Sequence, residues 1–216
     1  MNVTATLRQH WARAGFALAL ALVAGGPASA LEVTHPGDSG AGSLRAAVAA
    51  GGNVTFSPAL DGATILLTSG PITIPSGTTI SGPGANRLGV SGSLASRIFE
   101  IPPGSSASIA GLRLQDGQAG AGGQGGAVRN LGALVLSAVV VSNNRAGDAG
   151  GGIYNAGLLD VRASTFNANG VTDATCAGGG AIRSEGAGSV LLLAGSTISG
   201  NSAPSCSGGG ISFNDG

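Results

Sequence analysis

Apolar residues recur two apart in short runs, and the runs themselves repeat. Leu134/Leu136 and Leu159/Val161 are such pairs, with the spacing of a strand whose alternate side chains face opposite sides. Residues 125–144 read GGAVRNLGALVLSAVVVSNN, residues 150–169 GGGIYNAGLLDVRASTFNAN and residues 179–201 GGAIRSEGAGSVLLLAGSTISGN; a further copy opens at 208 with GGGISFNDG. Val128, Ile153 and Ile182 share one position. Leu134, Leu159 and Val190 share a second, Leu136, Val161 and Leu192 a third, and Val141, Phe166 and Ile198 a fourth. Asn144, Asn169 and Asn201 close the unit. The first step is 25 residues at every position and the second grows from 29 to 32. This growth predicts short insertions before Gly179–Ile182, in the SEGAGS segment and in the LLLAGST segment.

Self-similarity at this period means a solenoid, in which each repeat buries its apolar side chains against its neighbours. No run of i, i+3, i+4, i+7 spacing is long enough for helical repeats. Short strands joined by Gly and Asn corners predict the coils of a parallel β-helix, stacked about 4.8 Å apart. Like residues then lie over like, and the asparagines form a corner ladder. Glycine is abundant, 41 of 216 residues, and serves the corners, where positive φ and close approach recur. The in-phase apolar positions and 9% charged residues separate this chain from a disordered Gly-rich tract.

Upstream of the repeats the pattern changes twice. Residues 1–30 carry Arg8 and Arg13, no acid before Glu32, an apolar stretch of about 13 residues and a PASA ending. That is the layout of a secretory signal peptide cleaved after Ala30, too short to span a bilayer. No later stretch is apolar and long enough for a membrane anchor. Residues 31–51 predict an N-terminal cap: Ser43 opens a short helix over Leu44–Ala50 and Gly51 ends it. Residues 52–216 then form the β-helix in one domain, with earlier strands expected at Val54–Phe56, Thr64–Leu67, Ile72–Ile74, Thr79–Ser81, Ile98–Ile101 and Ile109–Leu114. The sequence stops at Gly216 inside a repeat, which suggests a truncated solenoid or an end covered by another chain.

Export bears on the cysteines. Cys176 and Cys206 are 30 residues apart, about one coil, and each precedes the isoleucine that opens its unit. They are expected at the same corner of adjacent coils, within disulfide reach in an oxidising compartment. A metal site is the rival reading, without a supporting cluster of His, Asp or Glu.

The segments DSGAGSLRAAV, ISGPGANRLGVSG and IAGLRLQDG resemble exported bacterial proteins with right-handed parallel β-helix (pectin-lyase-like) repeats. The later units are similar to polymorphic outer-membrane protein repeats, with signatures GGAI at Gly179–Ile182 and FxxN at Phe166–Asn169. The resemblance implies an all-β, right-handed solenoid that is periplasmic, secreted or on the outer-membrane surface. It further implies an adhesin or autotransporter passenger, or alternatively a polysaccharide lyase or glycoside hydrolase on the same fold.

Candidate chemistry is sparse. The ten acids downstream of residue 30 stand singly, without the paired carboxylates of a glycosidase, and no catalytic set or cofactor site is read. Asp148 and Asp173, one step apart, are the sole calcium candidates, and two ligands leave most of a calcium shell unfilled. Asp160 is expected level with Val135 and Leu191. Arg129, Tyr154 and Arg183 fall in one outward column that could stack on a sugar or receive a carboxylate. Zero net charge and 3% aromatic residues argue against nucleic acid as partner. Carbohydrate or a cell-surface protein is the expected partner, and non-catalytic binding the expected activity.

Overall fold

The computed structural model describes residues 30–174 and 176–214, so the proposed leader lies outside the described residues. From Leu31 onward the chain winds into a parallel β-solenoid of seven turns, with every strand pairing parallel. The seven-stranded sheet runs Leu31–Val33, Asn53–Phe56, Thr78–Ser81, Ser106–Ala110, Ala133–Ser137, Leu158–Arg162 and Val190–Ala194. A second sheet runs from Thr64–Leu66 through Val140–Ser142 and Thr165–Asn167 to Thr197–Ser199. A third runs from Ile72–Thr73 through Val128–Asn130, Ile153–Asn155 and Ile182–Glu185 to Ile211–Asn214. Three short strands, Gln118–Ala119, Arg145–Ala146 and Gly170–Val171, form a fourth sheet in the middle coils.

Alternation places one side chain in two inside. Leu134 and Leu136 are fully buried while Val135 between them is half-buried on the outer face. Register then stacks like on like: Val54, Ile80, Ile109, Leu136 and Val161 form one continuous ladder. Ile65, Val90, Leu114, Val141 and Phe166 form another, and Ile72, Phe99, Val128, Ile153 and Ile182 a third. Each large side chain removed from water contributes about 1.5–3 kcal/mol, so these columns are the principal source of cohesion.

The N-terminal turn is closed by the helix Leu44–Ala50. The Ser43 side chain accepts from Ala46 N, and Gly51 (φ 75°) returns its N–H to Val48 O. Leu44, Ala47 and Val48 face the core. Asp38 locks this cap to the first coil. Its carboxylate accepts from Nε and Nη2 of Arg45 and from the backbone and hydroxyl groups of Thr68 and Ser69.

Three expectations need correction. The insertions of the 150–201 step do not include one in LLLAGST: Leu159 pairs with Leu191 and Val161 with Leu193, not with Val190 and Leu192. Between Ile182 and Leu191 all of the added length therefore lies in the SEGAGS corner. Residues 190–193 are apolar at every position, so alternation could not choose between registers one residue apart. Asp160 accordingly stands level with Val135 and Leu192. Ile109–Leu114 is not one strand, because Gly111 (φ 59°) turns the chain between Ser106–Ala110 and Arg113–Gln115. The strand Gly89–Ser91 was not anticipated.

Candidate functional site

Corners fix which side chains reach the surface. At one corner Asn144, Asn169 and Asn201 form the expected ladder: Asn144 Nδ2 donates to Asn169 Oδ1 (2.9 Å) and Asn169 Nδ2 to Asn201 Oδ1 (2.9 Å). A second ladder, not foreseen, joins Asn130 Nδ2 to Asn155 Oδ1 (2.7 Å) and Asn155 Nδ2 to Ser184 Oγ (3.0 Å). The sequence did hold its signal, since RN, YN and RS occupy one slot. The Cys176–Cys206 disulfide is present across adjacent coils, with Cα atoms 5.6 Å apart.

The Arg129, Tyr154, Arg183 column exists in register on the outer face of the third sheet, and continues to Glu100 and Ser212. It is largely roofed. The loops entering the strands at Val128 and Ile182 reach its side chains: Arg97 donates to the carbonyls of Gln124 and Gly125, and Arg183 to Ala177 O. Tyr154 is 8% and Arg183 6% exposed. Arg129 pairs with Glu100 at 3.1 Å, and Arg183 lies 3.7 Å from Glu185. Burial, reinforced by Glu185, raises the Tyr154 hydroxyl above the ordinary tyrosine range. Desolvation lowers Arg97, partly offset by Glu100. The arrangement neutralises charge inside the wall, and only Arg129 and the two glutamates keep appreciable contact with solvent.

Asp148 and Asp173 sit level on adjoining coils, since Asp173 N donates to Gly147 O. Both carboxylates hold the 122–124 loop, and Asp148 also reaches the loop at Ala177. Asp148 accepts from Ala177 N (3.0 Å) and the Gln124 amide, and Asp173 from Gly122 N (2.8 Å). Among the described residues no three His, Cys, Asp or Glu side chains gather as a metal cluster. No helix there is long and apolar enough to cross a membrane.

A different outer face carries an open feature that sequence reasoning passed over. Gln118, Arg145, Gly170 and Ser202 follow one another in parallel register. Ala146 and Val171 beside them point inward and are buried. Where Arg145 projects, the next coil offers glycine and the one after it serine. The corner row beside them likewise shrinks to Ala168 and Gly200, both with positive φ. The result is a cleft of roughly 460 Å³, with Arg145 on its rim and Thr172, Ser202 and Pro204 among its lining. The signal was legible as Arg145 one step of 25 before Gly170, a long charged side chain followed by none.

The chain matches no protein-family model, no curated protein and no solved structure.

Proposed function

We propose that this protein is an exported, non-catalytic β-helix that works by presenting its surface to carbohydrate or to a cell-surface protein, in the manner of an adhesin or an autotransporter passenger. The handedness would be right, as in nearly all parallel crossovers, and the repeats would belong with the GGAI/FxxN type. Residues 1–30 would direct export, which agrees with a disulfide between neighbouring coils.

The observation that carries the reading is how the chain spends its charged side chains. Asp38, Asp61, Glu100 and Asp160 each face an arginine, and Asp148 and Asp173 hold backbone N–H groups. Asp160 pairs within its own strand, and the other five tie one coil or loop to the next, which stiffens the stack.

Expression with the leader in a bacterial host tests the export half: mass spectrometry should find a chain starting at Leu31 outside the cytoplasm. Adhesion of beads coated with the mature protein to cells or glycan arrays tests the binding half. Turnover of polyuronates or neutral glycans that disappears in Asp148→Ala or Asp173→Ala would replace this reading with that of a carbohydrate-active enzyme.

A further inference from the structure

We propose that the cleft beside Arg145 binds one acidic sugar unit, with the guanidinium holding its carboxylate or sulfate and Thr172, Ser202 and nearby backbone meeting its hydroxyls. The inference rests on the surface-binding reading above and gives it a ligand class and a place.

Arginine usage singles out this position. Eight arginines lie among the described residues. Arg45, Arg87, Arg129 and Arg162 are ion-paired. Arg97 holds backbone carbonyls, Arg113 the Gln115 amide and Arg183 a carbonyl and a hydroxyl. The Arg145 side chain alone has no hydrogen-bond or ion-pair partner among the described residues, and it is exposed. A guanidinium offers five donors in a planar fork suited to an oxyanion.

The cleft is not something the backbone requires. Several glycines here are obligatory: a Cβ on Gly151 would meet Gly170 O at 2.4 Å, and one on Gly180 would meet Gly209 O at 2.2 Å. Gly170 differs. Its φ lies outside the left-handed region, and a Cβ there would touch only Ser202 O at 3.4 Å, an ordinary contact. Neither strain nor crowding calls for glycine, and its effect is to leave space over Arg145.

The lining matches the ligand class. It has one cation, no carboxylate, two hydroxyl side chains and the face of Pro204. A sugar presents hydroxyls at its rim and C–H groups on its face, and an acidic one adds the charge that Arg145 lacks. The cleft's size falls within the roughly 300–1,000 Å³ of small-molecule sites. One wall is pre-set: the Cys176–Cys206 bond and the Cys206 N to Ala203 O hydrogen bond hold the turn that carries Pro204. That wall adds little ordering cost on binding; the cost falls on the Arg145 side chain. One cation without an aromatic platform does not suit single-stranded nucleic acid.

The test measures binding of the full mature chain to three oligosaccharide sets by calorimetry: hyaluronan (carboxylate only), κ-carrageenan (sulfate only) and dextran (neutral). At least one acidic set should bind and dextran should not; the arm that binds identifies the oxyanion. Arg145→Gln should weaken binding about tenfold, the scale of one charge-assisted contact. Gly170→Leu should abolish it by filling the cleft, with melting temperature unchanged. Arg87→Gln, which removes a charge of the same sign elsewhere, should bind as wild type. No preference for acidic sugars, or equal affinity in Arg145→Gln, overturns the proposal. If the chain still adheres to cells and both cleft variants adhere equally, the surface-binding reading stands and this site falls. If wild type binds neither oligosaccharides nor cells, both fall.

Discussion

Replacing Asn169 by Ala tests whether the corner ladder is a structural spine. The side chain is 1% exposed and makes four hydrogen bonds. Its Oδ1 accepts from Asn144 N and Nδ2, and its Nδ2 donates to Val141 O and Asn201 Oδ1. Alanine leaves the Asn144 N–H without a partner in a space closed to water, while Val141 O keeps its ladder bond to the next strand, Asn144 Nδ2 its bond to Leu114 O and Asn201 Oδ1 its bond from Asn169 N. One stranded buried group costs about 1–3 kcal/mol and each further lost bond up to about 1 kcal/mol, so the expected loss is about 2–4 kcal/mol. Asn201 holds the same place one coil on but is only half-buried. Water can replace part of what Asn201→Ala removes, and about 1 kcal/mol is expected there. Urea denaturation of the two variants measures the difference, and a double-mutant cycle of Asn144→Ala with Asn169→Ala should show coupling of about 1 kcal/mol. Equal losses at 169 and 201, or a loss at 169 below about 1 kcal/mol, would refute the idea that the ladder is read cooperatively from coil to coil.

Reducing Cys176–Cys206 frees a loop of 30 residues and should cost about 3.5 kcal/mol on the loop-entropy scale, seen as a lower urea midpoint in dithiothreitol than in buffer. Ala138, Ala163 and Ala168 sit at φ of 51°, 47° and 53°. Each Ala→Gly change should therefore raise stability by about 0.5–1 kcal/mol, against the usual sign for such a substitution; a fall in melting temperature contradicts it. Burial pushes the Asp38 carboxyl upward, but hydrogen bonds from Ser69, Arg45 and Thr68 outweigh it and hold the group well below the usual carboxylate range. Since the folded value is the lower one, its contribution is complete above about pH 4 and fades as the pH falls further. Acid unfolding of Asp38→Asn should show a shallower loss below pH 4 than wild type, and identical slopes would show that the lock does not titrate.

The solenoid was legible because its logic is written as alternation plus period. Val128, Ile153 and Ile182, or Asn144, Asn169 and Asn201, could be stacked from the sequence with no other information, and so could the cysteine pair. What escaped lacked contrast. Val190–Leu193 is apolar throughout, so a slip of one residue changed nothing in the pattern yet reversed which leucines face inward. Gly89–Ser91 is too short and too small to alternate visibly, and Gly111 looks like any other glycine until its φ is known. The site was harder still. Register placed Arg129, Tyr154 and Arg183 in one column, but their burial depends on loops that reach these side chains, and periodicity does not say where a loop will lie. Arg145 was overlooked because its importance comes from neighbours that have no side chain.

The SEGAGS corner has one more implication. Three extra residues enter there between one coil and the next, while the strands on either side keep their pairing. Lengthening a corner thus leaves the interior untouched, so these bends are natural ports for grafting foreign loops: a peptide epitope or a binding segment spliced at 186–189 should be displayed on an intact rod.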